Sequence, residues 1–313
     1  MLGISMVAVF FSSCAHFRAA PEEDRFAPGV HFAVINGATI GYHVHGKGPF
    51  CIVQPGGPGL GWDYLRMPGL EEHLTLVYIE PVGSGASGRL AKPEEYTFER
   101  YAEDIEGLRR HLGLTRFYLQ GHSHGGIVAQ AYAIQHPGNL KGLILLATTP
   151  VGGKEWIDDL SANLGWFEKE PWFKEALPAF MGIAASATSE EAAGLFKKAA
   201  GFYFADYADN KERIDAAMAD IQCHLPPYQA FLAQPFYVRP QLHLIHAPTL
   251  IIGAGKDPIC SLKFSEQMHN AIPGSRLAVL EHSGHMAHFD EPERLTAIIS
   301  GFAGDVENAH AGK

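Results

Sequence analysis

The chain has 313 residues, 47% of them hydrophobic and 19% charged, a balance that excludes disordered and fibrous classes. Twenty-four Lys and Arg stand against 34 Asp and Glu, a formal net charge of −10, which leaves no electrostatic footprint for nucleic acid. No apolar run approaches the ~20 residues of a membrane span, and the four cysteines, Cys14, Cys51, Cys223 and Cys260, are too scattered for a disulfide framework or a zinc ribbon.

The first 28 residues are set apart from the fold. Residues 2–11 form a short apolar stretch followed by Ser12, Ser13 and Cys14, the length of a signal h-region rather than of a membrane helix. The ending is similar to a bacterial lipoprotein signal, in which Cys14 would carry a lipid anchor, although no Lys or Arg precedes the run. Two readings stand: an exported lipoprotein, or a cytoplasmic protein with a disordered tail.

Beyond residue 28, Val30–Asn36 and Thr39–His45 alternate apolar and polar residues around Asn36-Gly37, which predicts an antiparallel hairpin. Short runs rich in β-formers follow at Phe50–Val53, Leu74–Ile79, Phe117–Leu119, Leu143–Leu146, Thr249–Ile252 and Leu277–Leu280. Helical spacing separates them: Tyr101, Ile105, Leu108 and Leu112, then Ile127–Ile134, and finally Arg294–Phe302. Strands alternating with helices predict a mostly parallel sheet, here of eight strands, covered on both faces.

Residues 150–239 break this rhythm. They carry Trp156, Trp166, Phe167, Trp172, Phe173, Phe180, Phe202, Tyr203, Phe204 and Tyr207 among helix-forming Ala and Glu. We read this segment as a helical cap inserted into an α/β core of residues 29–149 and 240–313. Most of its aromatics are expected in the core of the cap, with a minority facing a largely apolar pocket.

The strongest chemical signal is Gly121-His122-Ser123-His124-Gly125, between a predicted strand and a predicted helix. A serine on so sharp a strand-to-helix turn needs glycine two positions to either side, and Gly126 favours close helix–sheet approach. Serine needs a base and an orienting acid, in the chain order Ser, Asp or Glu, His. Asp257, after the strand at Thr249, and His285, after the last strand, fall at the same sheet edge as Ser123. Backbone N–H groups of His124 and of Gly57, in the loop Pro55-Gly56-Gly57-Pro58-Gly59, are the expected oxyanion donors. His282, His285 and His288 recur at three-residue spacing, but no Cys or carboxylate cluster joins them. No metal or organic cofactor is expected.

These motifs give the chain a resemblance, over nearly all of residues 30–305, to the α/β-hydrolases and within them to the proline iminopeptidase-like branch. That branch carries an H-G-G-P-G loop, a D-Q-R-G-x-G-x-S segment and a G-x-S-x-G-G elbow. Here Pro55 replaces the histidine, and Glu80-Pro81-Val82-Gly83-Ser84-Gly85-Ala86-Ser87 keeps the glycines and final serine without the Asp, Gln and Arg. The resemblance implies a serine hydrolase acting through an acyl-enzyme on a small-molecule or short-peptide substrate. Three substrate readings remain open: an aminopeptidase with cap glutamates such as Glu168 or Glu170 for the substrate amine, a carboxylesterase, or a lactonase. A non-catalytic ligand receptor is a further alternative on the same fold.

Overall fold

The computed structural model describes residues 24–311; Cys14 and the rest of the apolar N-terminal stretch lie outside the described residues. Strands β1 (Gly29–Ile35) and β2 (Ala38–Gly46) are joined by Asn36 and Gly37, both at positive φ, the demand of the tight hairpin turn that their sequence announces. Then follow β3 (Phe50–Gln54), α1 (Pro68–Glu71), β4 (Thr75–Glu80), α2 (Phe98–His111), β5 (Phe117–His122), α3 (His124–Gln135) and β6 (Leu140–Leu146). Five helices come next: α4 (Gly153–Leu164), α5 (Phe173–Gly182), α6 (Ser189–Lys198), α7 (Tyr207–Ala217) and α8 (Leu225–Ala233). The chain closes with β7 (Thr249–Ala254), α9 (Leu262–Ala271), β8 (Arg276–Leu280), α10 (Ala287–Asp290) and α11 (Pro292–Ala311).

The eight strands form one sheet in the order β1-β2-β4-β3-β5-β6-β7-β8. Pairing is antiparallel at β1–β2 and β2–β4 and parallel from there to β8. Successive residues of the central strands feed opposite faces, the period-two rule of a pleated strand. On β6, Leu143 and Leu145 pack among residues of α2, α3 and α9, whereas Ile144 and Leu146 pack among residues of α1 and α11. A third apolar cluster joins α4–α8 to Leu60, Ile259, Cys260 and Met286 of the sheet edge. Phe202 is its hub, with the rings of Trp172, Phe167 and Phe173 at 5.1, 5.7 and 5.9 Å. Among the described residues no helix is long and apolar enough to cross a membrane.

This topology fixes where a site can form. From β3 the chain steps to β4 on one side and later to β5 on the other. The carboxyl ends of β3 and β5 therefore diverge into a crevice, the place where open α/β sheets bind ligands. The loop after β3 and the turn after β5 meet there.

Candidate active site

Ser123 follows β5 and caps α3 with φ 54° and ψ −122°, a strained conformation for a residue with a side chain. Its N–H donates to the Leu146 carbonyl at 3.0 Å, and the Thr148 hydroxyl donates to its own carbonyl at 2.6 Å. The flanking glycines are steric necessities. A Cβ on Gly121 would lie 2.3 Å from the Gly125 oxygen, and one on Gly125 would lie 2.2 Å from the Gln54 oxygen. On Gly126 it would meet the Thr148 side chain at 2.5 Å.

Asp257 and His285 converge on this serine. His285 Nδ1–H donates to Asp257 Oδ2 at 2.8 Å, which leaves Nε2 to accept from the Ser123 hydroxyl at 2.9 Å. Asp257 is buried, and its other oxygen accepts the N–H groups of Ile259 and Cys260 at 2.8 and 3.0 Å. A buried carboxyl group bonded in this way holds the imidazole in one tautomer.

The loop after β3 lies against the serine: a Cβ on Gly56 would come within 2.7 Å of Ser123 Cβ. The Gly56 N–H is already used, donating to the Tyr64 hydroxyl at 2.6 Å. Tyr64 in turn donates to His122 Nδ1 at 2.9 Å, and His122 Nε2–H donates to the His285 carbonyl at 2.9 Å. That carbonyl can only accept, so His122 is neutral with its proton on Nε2. Burial drives its pKa far down, and the neighbouring His285 and His288 lower it further. Gly57, at φ 53°, lines the cavity beside Ser123. His124 opens α3, where an N–H has no intrahelical acceptor. Its ring sits among Phe98, Tyr101 and Phe231 at 5.2 to 5.5 Å, and burial lowers its pKa to about 3.

Above the serine lies a cavity of about 70 Å³. Leu60, Ile127, Trp156, Phe180, Phe231 and Met286 supply much of an apolar wall, to which no carboxylate among the described residues contributes. Glu168 and Glu170 are exposed and do not line it, which corrects the expectation that they meet a substrate amine. Of the three cap tryptophans Trp156 reaches the cavity, whereas Trp166 is 57% exposed and Trp172 packs inside the cap cluster.

The three histidines at three-residue spacing go separate ways. His282 is exposed, His285 faces Ser123, and His288 Nε2 bonds the Tyr64 carbonyl at 2.7 Å. Cys260, by contrast, joins Asp257 and His285 in one buried group, their ligand atoms within 4.8 Å of one another. The bonds of Tyr64 and the place of Cys260 beside Asp257 and His285 escape a reading of the sequence, because each is one more tyrosine or cysteine without a motif.

A strained serine on a strand-to-helix turn, bonded to a histidine at the carboxyl edge of a mostly parallel sheet, defines the α/β-hydrolase class. The model of the alpha/beta hydrolase fold matches residues 50–292, and the chain belongs to that family, within which it resembles the proline iminopeptidase branch. A proline iminopeptidase of Saccharolobus solfataricus is 27% identical over 287 residues, covering 85% of this chain and 88% of that one. One of Pestalotiopsis fici is 28% identical over 290 residues, covering 86% and 98%. Among solved structures, the proline iminopeptidase of Mycobacterium smegmatis superposes with a TM-score of 0.70 at 18% identity, over 90% of this chain and all (100%) of that one. The enol-lactonase of Burkholderia xenovorans does so with a TM-score of 0.68 at 21% identity, over 88% and 100%. At such identities the structural likeness speaks for the fold alone.

Proposed function

We propose that this hydrolase is a serine enzyme that cleaves the ester bond of a small, uncharged, largely apolar substrate through an acyl-enzyme. The observation that carries the reading is the continuous set Ser123–His285–Asp257, bonded at 2.9 and 2.8 Å, which opens on an apolar cavity without a carboxylate. Ser123 attacks the carbonyl while His285 takes its proton, and Asp257 stabilises the resulting imidazolium. The N–H groups of Gly57 and His124 receive the oxyanion. His285 then protonates the leaving alcohol and activates the water that releases the acid. Residues 150–239 act as the cap over this site, and residues 29–149 with 240–313 as the catalytic core.

The test is a nitrophenyl ester assay. We expect a burst of chromophore from wild type, and Ser123→Ala and His285→Ala each to lower kcat by on the order of 10⁴. Activity that survives both substitutions would overturn the mechanism. No turnover in wild type would restore the receptor reading.

The relatives named proline iminopeptidase support a second reading, an aminopeptidase. It requires a buried partner for the substrate's ammonium group, since an unpaired buried charge costs several kcal/mol, and the cavity wall offers no carboxylate. Proline anilide assayed against its N-acetyl analogue separates the two. Equal rates leave the esterase or lactonase reading; a strong preference for the free amine promotes the aminopeptidase.

A further inference from the structure

Two tyrosines, Tyr203 and Tyr228, line the cap side of the cavity. Their rings flank Phe196 at 5.7 and 5.6 Å, and the Tyr203 ring lies 6.0 Å from that of His285. Tyr203 is only 7% exposed. Several other tyrosines of the interior use their hydroxyls: Tyr64 bonds Gly56 and His122, Tyr78 bonds Met67 and Glu71, and Tyr132 bonds Glu106. Among the described residues neither the Tyr203 nor the Tyr228 hydroxyl has a hydrogen-bond partner, and neither oxygen is sealed in protein. Both residues line the cavity.

Buried hydroxyls without a partner are costly, and elsewhere on this wall polar groups are already used. The Trp156 indole N–H donates to the Ile259 carbonyl at 2.8 Å, and the Thr149 hydroxyl to the Val151 carbonyl at 2.8 Å. We propose that Tyr203 and Tyr228 form a specificity subsite that donates hydrogen bonds to a neutral oxygen acceptor, a ketone, ether or second ester oxygen, carried a few bonds from the scissile carbonyl. The inference rests on the ester-hydrolase reading above and names its substrate class. Burial raises both phenol pKa values, so the hydroxyls remain donors throughout the working pH range. The absence of a carboxylate beside them turns the subsite away from ammonium groups. The surrounding apolar rings turn it away from acceptors that carry a full charge. A site built to bond an oxygen discriminates more sharply than an apolar wall, because a substrate without the oxygen leaves the buried donors unpaired.

The test uses two matched ester pairs, followed by acid release. On the acyl side, methyl 4-oxopentanoate is compared with methyl 4-methylpentanoate. On the alcohol side, 2-methoxyethyl butyrate is compared with butyl butyrate. In at least one pair, wild type should favour the oxygen-bearing member by ~10-fold or more in kcat/KM. Tyr203→Phe and Tyr228→Phe should each shrink that ratio, and the double variant should bring it near one. Melting temperatures should not fall below the wild-type value, because no protein hydrogen bond is removed. Equal rates within both pairs, or a preference that survives the double variant, would overturn the subsite. Hydrolysis of the alkyl esters in such a case would leave the ester-hydrolase reading standing. No turnover of any of the four would overturn both.

Discussion

Ser123 stores backbone strain of about 1–3 kcal/mol in its conformation, and the residues around it are the ones that hold it there. Tyr64 illustrates how few atoms this takes. Its hydroxyl accepts from Gly56 and donates to His122, whose far nitrogen donates to the backbone of His285. One oxygen thus couples the loop that carries Gly57 to the histidine beside the serine. Tyr64→Phe leaves the Gly56 N–H and His122 Nδ1 without partners, at a cost of about 1–3 kcal/mol in stability. We expect kcat to fall more than KM rises, because the loop is loosened while the apolar wall is untouched. Steady-state kinetics with thermal melts check this; wild-type kcat in the variant would show that the chain of bonds is idle.

At the scale of elements, the turn from β5 into α3 meets the loop after β3 with no spare volume. Gly125→Ala would place its Cβ 2.2 and 2.5 Å from the Gln54 and Pro55 carbonyl oxygens, which belong to the backbone and cannot rotate away. The expected cost is about 1–3 kcal/mol, seen as a melting temperature lower by several degrees, together with loss of hydrolysis as the loop is displaced. Gly138→Ala is the matched control, since a Cβ there meets nothing within 4 Å. It should stay within about 0.5 kcal/mol of wild type. Equal stability of the two variants would contradict the packing argument.

For the whole molecule, access and acid stability follow from how the helices α4–α8 sit on the sheet edge. The cavity of about 70 Å³ under the cap is small, and we expect the cap to move when a substrate of ester size enters. Leu60, beside the loop of Gly57, pairs with Cys223 in an isolated antiparallel bridge, and the His224 N–H donates to the Gly59 carbonyl at 2.9 Å. Residues paired in this way have Cα atoms about 4.5–5.5 Å apart, within disulfide reach. Leu60→Cys should therefore bond Cys223 on oxidation and slow ester hydrolysis, with recovery on adding reductant. Undiminished oxidised activity would count against a moving cap. Acid should loosen the fold as well. Burial lowers the pKa of His124 to about 3, of His288 to about 4, and of His122 well below its ordinary value. Below about pH 6.5 the unfolded chain takes up protons that these folded histidines refuse, so stability falls by about 1.4 kcal/mol per pH unit for each. Asp290, raised by burial to about 6, binds its proton earlier in the folded state and between pH 6 and 4 offsets one of the three. The melting temperature should drop clearly from pH 7 to pH 5; a flat profile would mean that the histidines are not buried neutral.

What the sequence by itself determined was local and periodic. The Asn36-Gly37 turn, the alternation of strands with helices and the G-x-S-x-G turn each rest on constraints within a few residues, and the eight-stranded, mostly parallel α/β-hydrolase sheet follows from them. That Ser123, Asp257 and His285 meet was legible because each follows a strand, and parallel strands bring their carboxyl ends to one edge. Only the tertiary structure decided what faces that edge. Ten aromatics marked the inserted helices, yet Trp156, Phe180 and Tyr203 are the ones among them that reach the cavity, while Phe202 and Trp172 turn into the cap. Tyr64 and Tyr228 carried no signal at all. An α-helix turns through 3.6 residues, so spacing tells which residues share a face. Which face meets the active site depends on how five helices pack on one another, and that is settled by contacts between residues far apart in the chain.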